Sequence, residues 1–96
     1  MTIATNPWAI ADHDPTSNLS AATPSTTAVL AYARADIYTA VDCADDPHRR
    51  RQYALSARDN AVTVLLAADA TPDERRHAEY YLADAEVFIA NTDADN

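Results

Sequence analysis

Apolar residues recur at helical spacing in three stretches of the chain, and each stretch opens on a capping residue followed by proline. The three pairs are Thr23-Pro24, Asp46-Pro47 and Thr71-Pro72. An Asp or Thr side chain accepts hydrogen bonds from the free N–H groups of a first helical turn, and a proline after it loses no intrahelical bond. Glycine is absent, so the chain lacks the residue that best fits left-handed turns. The pattern therefore predicts three helices.

The first helix is expected from about Pro24 to Ala44, with an apolar arc of about 120° at 100° per residue. Its core-facing positions are Val29, Leu30, Ala33, Ile37, Ala40, Val41 and Ala44. The opposite face carries few charges and includes Tyr32, Ala35 and Tyr38. A solvated helix face normally carries more charge, so this face is a candidate contact surface.

The second helix is expected from Pro47 to about Ala68 and has two apolar stripes. One stripe is Tyr53, Ala57, Ala61, Val64 and Ala68, and the other is Leu55, Val62 and Leu66. Two stripes indicate two neighbours, so we expect this helix to be central. Arg58 falls between the stripes, and we expect it to be partly buried beside Asp36 or Asp84, because a guanidinium stays charged.

The third helix has the clearest start, since Thr71 and Glu74 have the spacing of a capping box. Apolar positions then recur at Ala78, Tyr81, Leu82, Ala85, Phe88 and Ile89. The pattern fades after Ala90, and residues 92–96 are interpreted as a short acidic tail.

Short links between long helices favour antiparallel neighbours, so residues 23–91 are predicted to form an all-α, up-down-up three-helix bundle. Residues 1–22 form an irregular N-terminal arm in this interpretation. The arm is either disordered or an ordered segment that shelters Trp8, the only tryptophan. Alanine is frequent at facing positions, which permits close helix approach but gives each contact little buried area.

The net charge of −8 is expected to repel nucleic acid and anionic membranes. Cys43 is the single cysteine, which excludes an internal disulfide and favours a reducing compartment. The first residues lack the basic and apolar regions of a signal peptide, so we expect a cytoplasmic protein. The chain has 22 alanines, no lysine and twelve aspartates against three glutamates, a bias typical of a high-GC bacterial or phage genome.

The run from His48 to Arg51 is the one basic cluster, and three interpretations compete for it. Phosphate binding is one, but short basic runs are weak motifs. Binding of an acidic protein partner is the second. We favour a structural charge network, because the start of the second helix should meet acidic helix ends in an antiparallel bundle. Its predicted members are Arg49, Arg50, Arg51, Arg58, Asp42, Asp45, Asp46 and Asp84.

Motifs for catalysis, cofactor binding and metal binding are missing. Glycine-dependent phosphate loops and nucleophile elbows require a residue that this chain lacks. Asp73 and His77 lie four residues apart on one helix, but no third ligand is nearby, so a surface pair is the preferred interpretation. We expect a non-enzymatic protein without a cofactor or metal.

The weakly charged outward faces indicate a protein partner of unknown identity or a homodimer. The candidate partner-binding residues are Tyr32, Ala35, Tyr38, Tyr80, Ala83 and Val87. The alternative hypothesis is an acidic inhibitor, encoded by a phage, that occupies a DNA-binding surface on a host protein. That alternative depends on the strong negative charge, which ordinary solubility also explains.

Overall fold

The structure, a computed structural model, describes residues 23–95, with side chains placed through Thr92. Three helices account for most of this part of the chain: α1 (Thr26–Asp42), α2 (Pro47–Leu66) and α3 (Pro72–Asp95). The predicted all-α, three-helix bundle is confirmed. The expected N-terminal arm, residues 1–22, lies outside the described residues.

Side-chain contacts between helices fix their directions. Asp36 near the middle of α1 accepts hydrogen bonds from Ser56 and Asn60 on α2, while Thr26 at the start of α1 donates to Asp69 just after α2. Residue numbers therefore rise on one helix as they fall on the other, so α1 and α2 are antiparallel. The α2–α3 pairs Arg50–Thr92 and Arg58–Glu86 follow the same rule.

Local capping explains where the second and third helices begin. The Asp46 carboxylate accepts the backbone N–H of Arg49 at 3.2 Å, with Pro47 in the first turn of α2. At the start of α3, the Thr71 hydroxyl accepts from the Glu74 N–H (3.1 Å) and the Glu74 carboxylate accepts from the Thr71 N–H (3.0 Å). This is the predicted capping box, which satisfies two otherwise unpaired donors.

The first helix begins two residues later than the Thr23-Pro24 pair predicts. Ser25 is the cap: its backbone is extended, and its hydroxyl accepts the Ala28 N–H at 3.1 Å. A serine cap is at least as favourable as a threonine cap, so Ser25 caps α1 in place of Thr23.

The third helix runs to Asp95, beyond the point where its apolar pattern fades. Thr92, placed by the sequence in an acidic tail, is almost completely buried. Its hydroxyl donates to the Phe88 carbonyl at 2.9 Å and accepts from Nη2 of Arg50 at 3.3 Å. The last turns of α3 therefore pack against the start of α2.

The core of the described bundle consists mainly of alanine. Eight of its eleven buried apolar residues are alanines, and the other three are Val29, Ile37 and Val64. Alanine has almost no side-chain volume beyond Cβ, so helices that meet through it approach closely and interdigitate tightly. The predicted thin, alanine-rich core is confirmed.

The two-stripe interpretation of α2 is wrong, although α2 does pack against both other helices. Both neighbours share one arc, formed by Ala54, Ala57, Ala61 and Val64. The second stripe faces outward, with Val62 37% and Leu66 80% exposed. Because the side chains on this arc of α2 are small, α1 and α3 can both pack against it. The stripe that contains Leu55 and Leu66 is therefore not needed for packing.

Val41 was expected in the core but lies exposed, and Leu30 is only half-buried. Both residues lie on the side of α1 that is turned toward α3. The two outer helices pack mainly on α2 and contact each other much less. Apolar positions between α1 and α3 are therefore left open to solvent.

Candidate interaction surface of α1 and α3

The outer face of α1 is apolar and exposed, as the sequence predicts. Tyr32 and Tyr38 are about half exposed, and Ala35 between them is exposed. The charges of α1 are few, and Asp36 is turned toward α2 by its hydrogen bonds to Ser56 and Asn60. A face of this kind has a low desolvation cost when another protein covers it.

A second apolar stripe lies on α3. Tyr80, Ala83 and Val87 are separated by three and four residues, so they share one helix face, and all three are exposed. Tyr80 also contacts the imidazole of His77 edge-on, with ring centroids 6.4 Å apart.

An open groove, here called the α1–α3 groove, lies between the two outer helices, which contact each other less than either contacts α2. Its volume is about 540 Å³. The residues that line it are Thr27, Leu30, Ala31, Arg34, Tyr38, Asp73, Glu74, His77 and Tyr81. Tyr38 belongs both to this lining and to the outer stripe of α1, so groove and stripe form a continuous surface.

A hydrogen bond crosses the groove near the start of both helices. The Thr27 hydroxyl donates to Glu74 at 2.7 Å and so joins the first turns of α1 and α3. This bond, followed by the backbone bond from Thr71, lowers the pKa of the Glu74 carboxyl. The Thr27–Glu74 bond therefore ties α1 and α3 together at their N-terminal ends.

Arg34 is the cation of the groove. Its Nε donates to the Tyr38 hydroxyl at 3.2 Å, and its guanidinium carbon lies 5.1 Å from the centre of the same ring. The hydrogen bond from Arg34 to Tyr38 raises the pKa of the guanidinium. Within residues 23–95 these contacts with Tyr38 are the polar contacts of Arg34, and none joins it to a carboxylate.

His77 forms a local pair on the opposite wall. Its Nδ1 lies 2.9 Å from the Asp73 carbonyl and 3.7 Å from the Asp73 carboxylate, whose other oxygen binds Arg76. This agrees with the predicted surface pair. Among residues 23–95, no three acidic, histidine or cysteine side chains are grouped as a metal site would require.

The structure places the predicted charge network as follows. Asp46 caps α2, the Arg49 guanidinium lies 5.9 Å from the Tyr53 ring centre, and Arg50 binds Thr92. The pKa of the Arg49 guanidinium is raised, mainly by its interaction with Tyr53. Arg51 is half-buried, and the acidic members are all exposed: Asp42, Asp45, Asp46 and Asp84. The network as a whole stays a prediction.

Arg58 is partly buried and pairs with a carboxylate on a neighbouring helix, as predicted, but the residues named for that partner were wrong. Its guanidinium lies 3.9 Å from Glu86 on α3 and 4.0 Å from its neighbour Asp59, rather than beside Asp36 or Asp84. The side chain is 40% exposed. Because α1 and α3 share one arc of α2, the position of Arg58 lies at the bundle edge, where its side chain reaches water.

Sequence reasoning did not identify the groove or Arg34, and it singled out His77 only as a surface partner of Asp73. A local signal exists on α1, since Thr27, Ala31, Arg34 and Tyr38 recur at helical spacing on one side. The separation between α1 and α3 has no comparable signal, because it depends on how both helices pack against α2.

Comparison of the chain with known proteins yields no match to a family model, to a curated protein or to a solved structure. None of the described helices is long and apolar enough to cross a membrane.

Proposed function

We propose that this protein is non-enzymatic and acts through protein–protein contact at the surface formed by α1 and α3. One observation carries the proposal: several large apolar side chains are exposed, while most of the buried apolar residues are alanines. Among the residues that the structure describes, the exposed large apolar side chains are those of Tyr32, Tyr38, Val41, Val62, Leu66, Tyr80 and Val87. Burial of apolar area drives most protein association, and tyrosine is enriched at interfaces.

The α1 and α3 faces support this assignment better than the exposed stripe of α2. On α2, the charged residues Arg58 and Asp59 lie between Leu55 and Val62 along the same face, and they pair with each other. On the other two helices, Tyr38 lines the α1–α3 groove and Tyr80 contacts the groove residue His77, so a partner could contact both helices and the groove at once. A central apolar patch with a polar rim is the usual anatomy of an interface.

A homodimer is the simplest form of this proposal, and light scattering after size exclusion tests it across a range of concentrations. Self-association through α1 and α3 predicts a dimer that Val87→Arg abolishes. Leu66→Arg is the matched control, because it adds the same charge at an exposed apolar position of α2. A dimer that survives Val87→Arg and is lost with Leu66→Arg would place the contact on α2 instead.

The alternative proposal, an acidic inhibitor that occupies a DNA-binding surface, has less support. Several carboxylates are already used inside the fold: Asp36, Asp46, Asp69 and Glu74 accept hydrogen bonds from nearby groups. A DNA mimic needs carboxylates that remain available to cationic side chains of its target. If this alternative held, affinity for a DNA-binding partner would fall steeply with salt, because the contact would be largely electrostatic.

A further inference from the structure

The three helices are arranged like the first three of an up-down-up-down bundle. α1 and α3 both pack on α2 and contact each other much less. The bond between Thr27 and Glu74 joins their first turns, so these two helices run parallel. In a four-helix bundle, the fourth helix lies between the first and the third and runs antiparallel to both. The α1–α3 groove, which is lined by these two helices alone, has that position.

The groove has the dimensions of one helix face. From Thr27 to Tyr38 it follows α1 for about 17 Å, or three helical turns. A helix of that length and a diameter of about 10 Å fills about 1,300 Å³, whereas the groove measures about 540 Å³. Leu30, Ala31 and Tyr81 give it an apolar lining. The groove can therefore take the apolar face of an amphipathic helix, while the polar face stays in water.

Two charges lie about two turns apart along the groove. The Glu74 carboxylate is at the end where the helices begin and accepts from the neutral hydroxyl of Thr27. Arg34 follows Thr27 by seven residues on α1, which is about 10 Å along the helix axis. Asp73 also lines the groove, but its carboxylate is already paired with Arg76. The groove is therefore negative where α1 and α3 begin and positive about two turns further on.

We propose, building on the proposed function, that the α1–α3 groove binds an amphipathic helix of a partner protein, antiparallel to α1 and α3. In that direction the partner helix ends beside Glu74, where a basic residue suits both the carboxylate and the negative end of the helix. Two turns earlier, an acidic residue of the same face lies beside Arg34, and the residues between are apolar. The partner helix thus carries an acid, an apolar stripe and then a base, with about seven residues between acid and base.

A synthetic peptide of this form, here called the direct peptide, is the probe. It is an alanine-rich helix about five turns long, with glutamate, leucines and lysine on one face in that order. Fluorescence anisotropy of the labelled peptide measures its dissociation constant with the full chain. A double-mutant cycle combines Arg34→Gln with glutamine in place of the peptide glutamate, and we expect a coupling of at least about threefold. Arg49→Gln is the matched control without coupling, because Arg49 also lies beside a tyrosine ring but is outside the groove.

The sign of the peptide effect is informative on its own. The net charge of the chain is −8, so removal of a peptide carboxylate should strengthen binding unless that carboxylate lies beside a cation. Weaker binding of the glutamine peptide to the wild type therefore supports contact with Arg34, even if Arg34→Gln unfolds the bundle by circular dichroism. A reversed peptide, with lysine before glutamate, can form both ion pairs only if its helix runs parallel to α1 and α3. It should therefore bind several-fold more weakly than the direct peptide.

Three results would contradict a helix in this groove. The first is failure of the direct peptide to bind, and the second is coupling that is absent at Arg34 or equally large at Arg49. The third is a reversed peptide that binds as tightly as the direct one, which would reject the antiparallel direction. Val87 is outside the groove lining, so Val87→Arg separates this proposal from the proposed function. If Val87→Arg abolishes the dimer or the captured partner while the direct peptide does not bind, the proposed surface stands and the helix in the groove is rejected.

Discussion

Enlarging a buried alanine tests the packing of the bundle most sharply, and Ala57 is the best site. Its side chain is fully buried, in a cluster with Ile37, Ala54 and Ala85. The substitution Ala57→Leu adds carbon atoms where the helices of the bundle meet. Alanine and leucine have similar helix propensities, so the effect reports packing rather than helix formation.

Two effects of opposite sign compete in Ala57→Leu. If the interior had room, the added carbons would stabilise the fold by about 0.8 kcal/mol for each one buried. If the helices meet as closely as their alanines indicate, the larger side chain forces them apart and costs about 1–3 kcal/mol. Because no part of the Ala57 side chain reaches solvent, we expect the second effect to win.

Thermal unfolding followed by circular dichroism measures the outcome. For a domain of this size, 1 kcal/mol corresponds to roughly 4–8 °C in Tm, so Ala57→Leu should lower Tm by roughly 4 °C to more than 20 °C. Ala90→Leu is the matched control at an exposed position of α3, and it should change stability by less than about 0.5 kcal/mol. An unchanged or higher Tm for Ala57→Leu would refute the close-packed alanine core.

Two further predictions concern single side chains. Glu74 has a folded-state pKa below its ordinary value of 4.5, because Thr27 and Thr71 donate to its carboxylate. The stabilisation that the Glu74 carboxylate provides is therefore complete above this ordinary pKa and is lost as the pH falls through the lowered pKa. The Glu74→Gln variant should be less stable than the wild type at neutral pH, and this difference in stability should shrink in acid. Thermal unfolding across pH checks this, with Glu79→Gln as control, and a deficit independent of pH would contradict it. For Glu86→Gln we expect the free energy of unfolding, measured with denaturant, to fall by less than about 1 kcal/mol, because the Arg58–Glu86 pair is largely exposed. A larger fall would mean that the pair is buried.

The elements that the sequence predicts well depend on local chemistry. Asp46 and Thr71 cap helices through bonds to residues three positions ahead, so their role is visible in a few consecutive letters. The up-down-up order follows equally directly from the short links between helices. These features needed no knowledge of the tertiary packing.

The choice of buried face on α2 was not predictable in the same way. Two faces of α2 carry apolar residues at helical spacing: one face includes Ala57 and Val64, and the other includes Leu55 and Leu66. Hydrophobicity alone favours burial of the leucines. The structure buries the alanines instead, since their small size lets two helices approach one arc. The partner of Arg58 and the α1–α3 groove both follow from that choice, so they were missed together.

The central claim is that α1 and α3 carry the interaction surface, and the most direct test is quantitative capture from the native host. The wild-type chain, Val87→Arg and Leu66→Arg are immobilised in equal amounts, and the recovered proteins are compared by mass spectrometry. The account predicts a partner, this chain itself included, that is recovered with the wild type and with Leu66→Arg and is lost with Val87→Arg. Equal recovery with all three chains, or loss with Leu66→Arg alone, would contradict it.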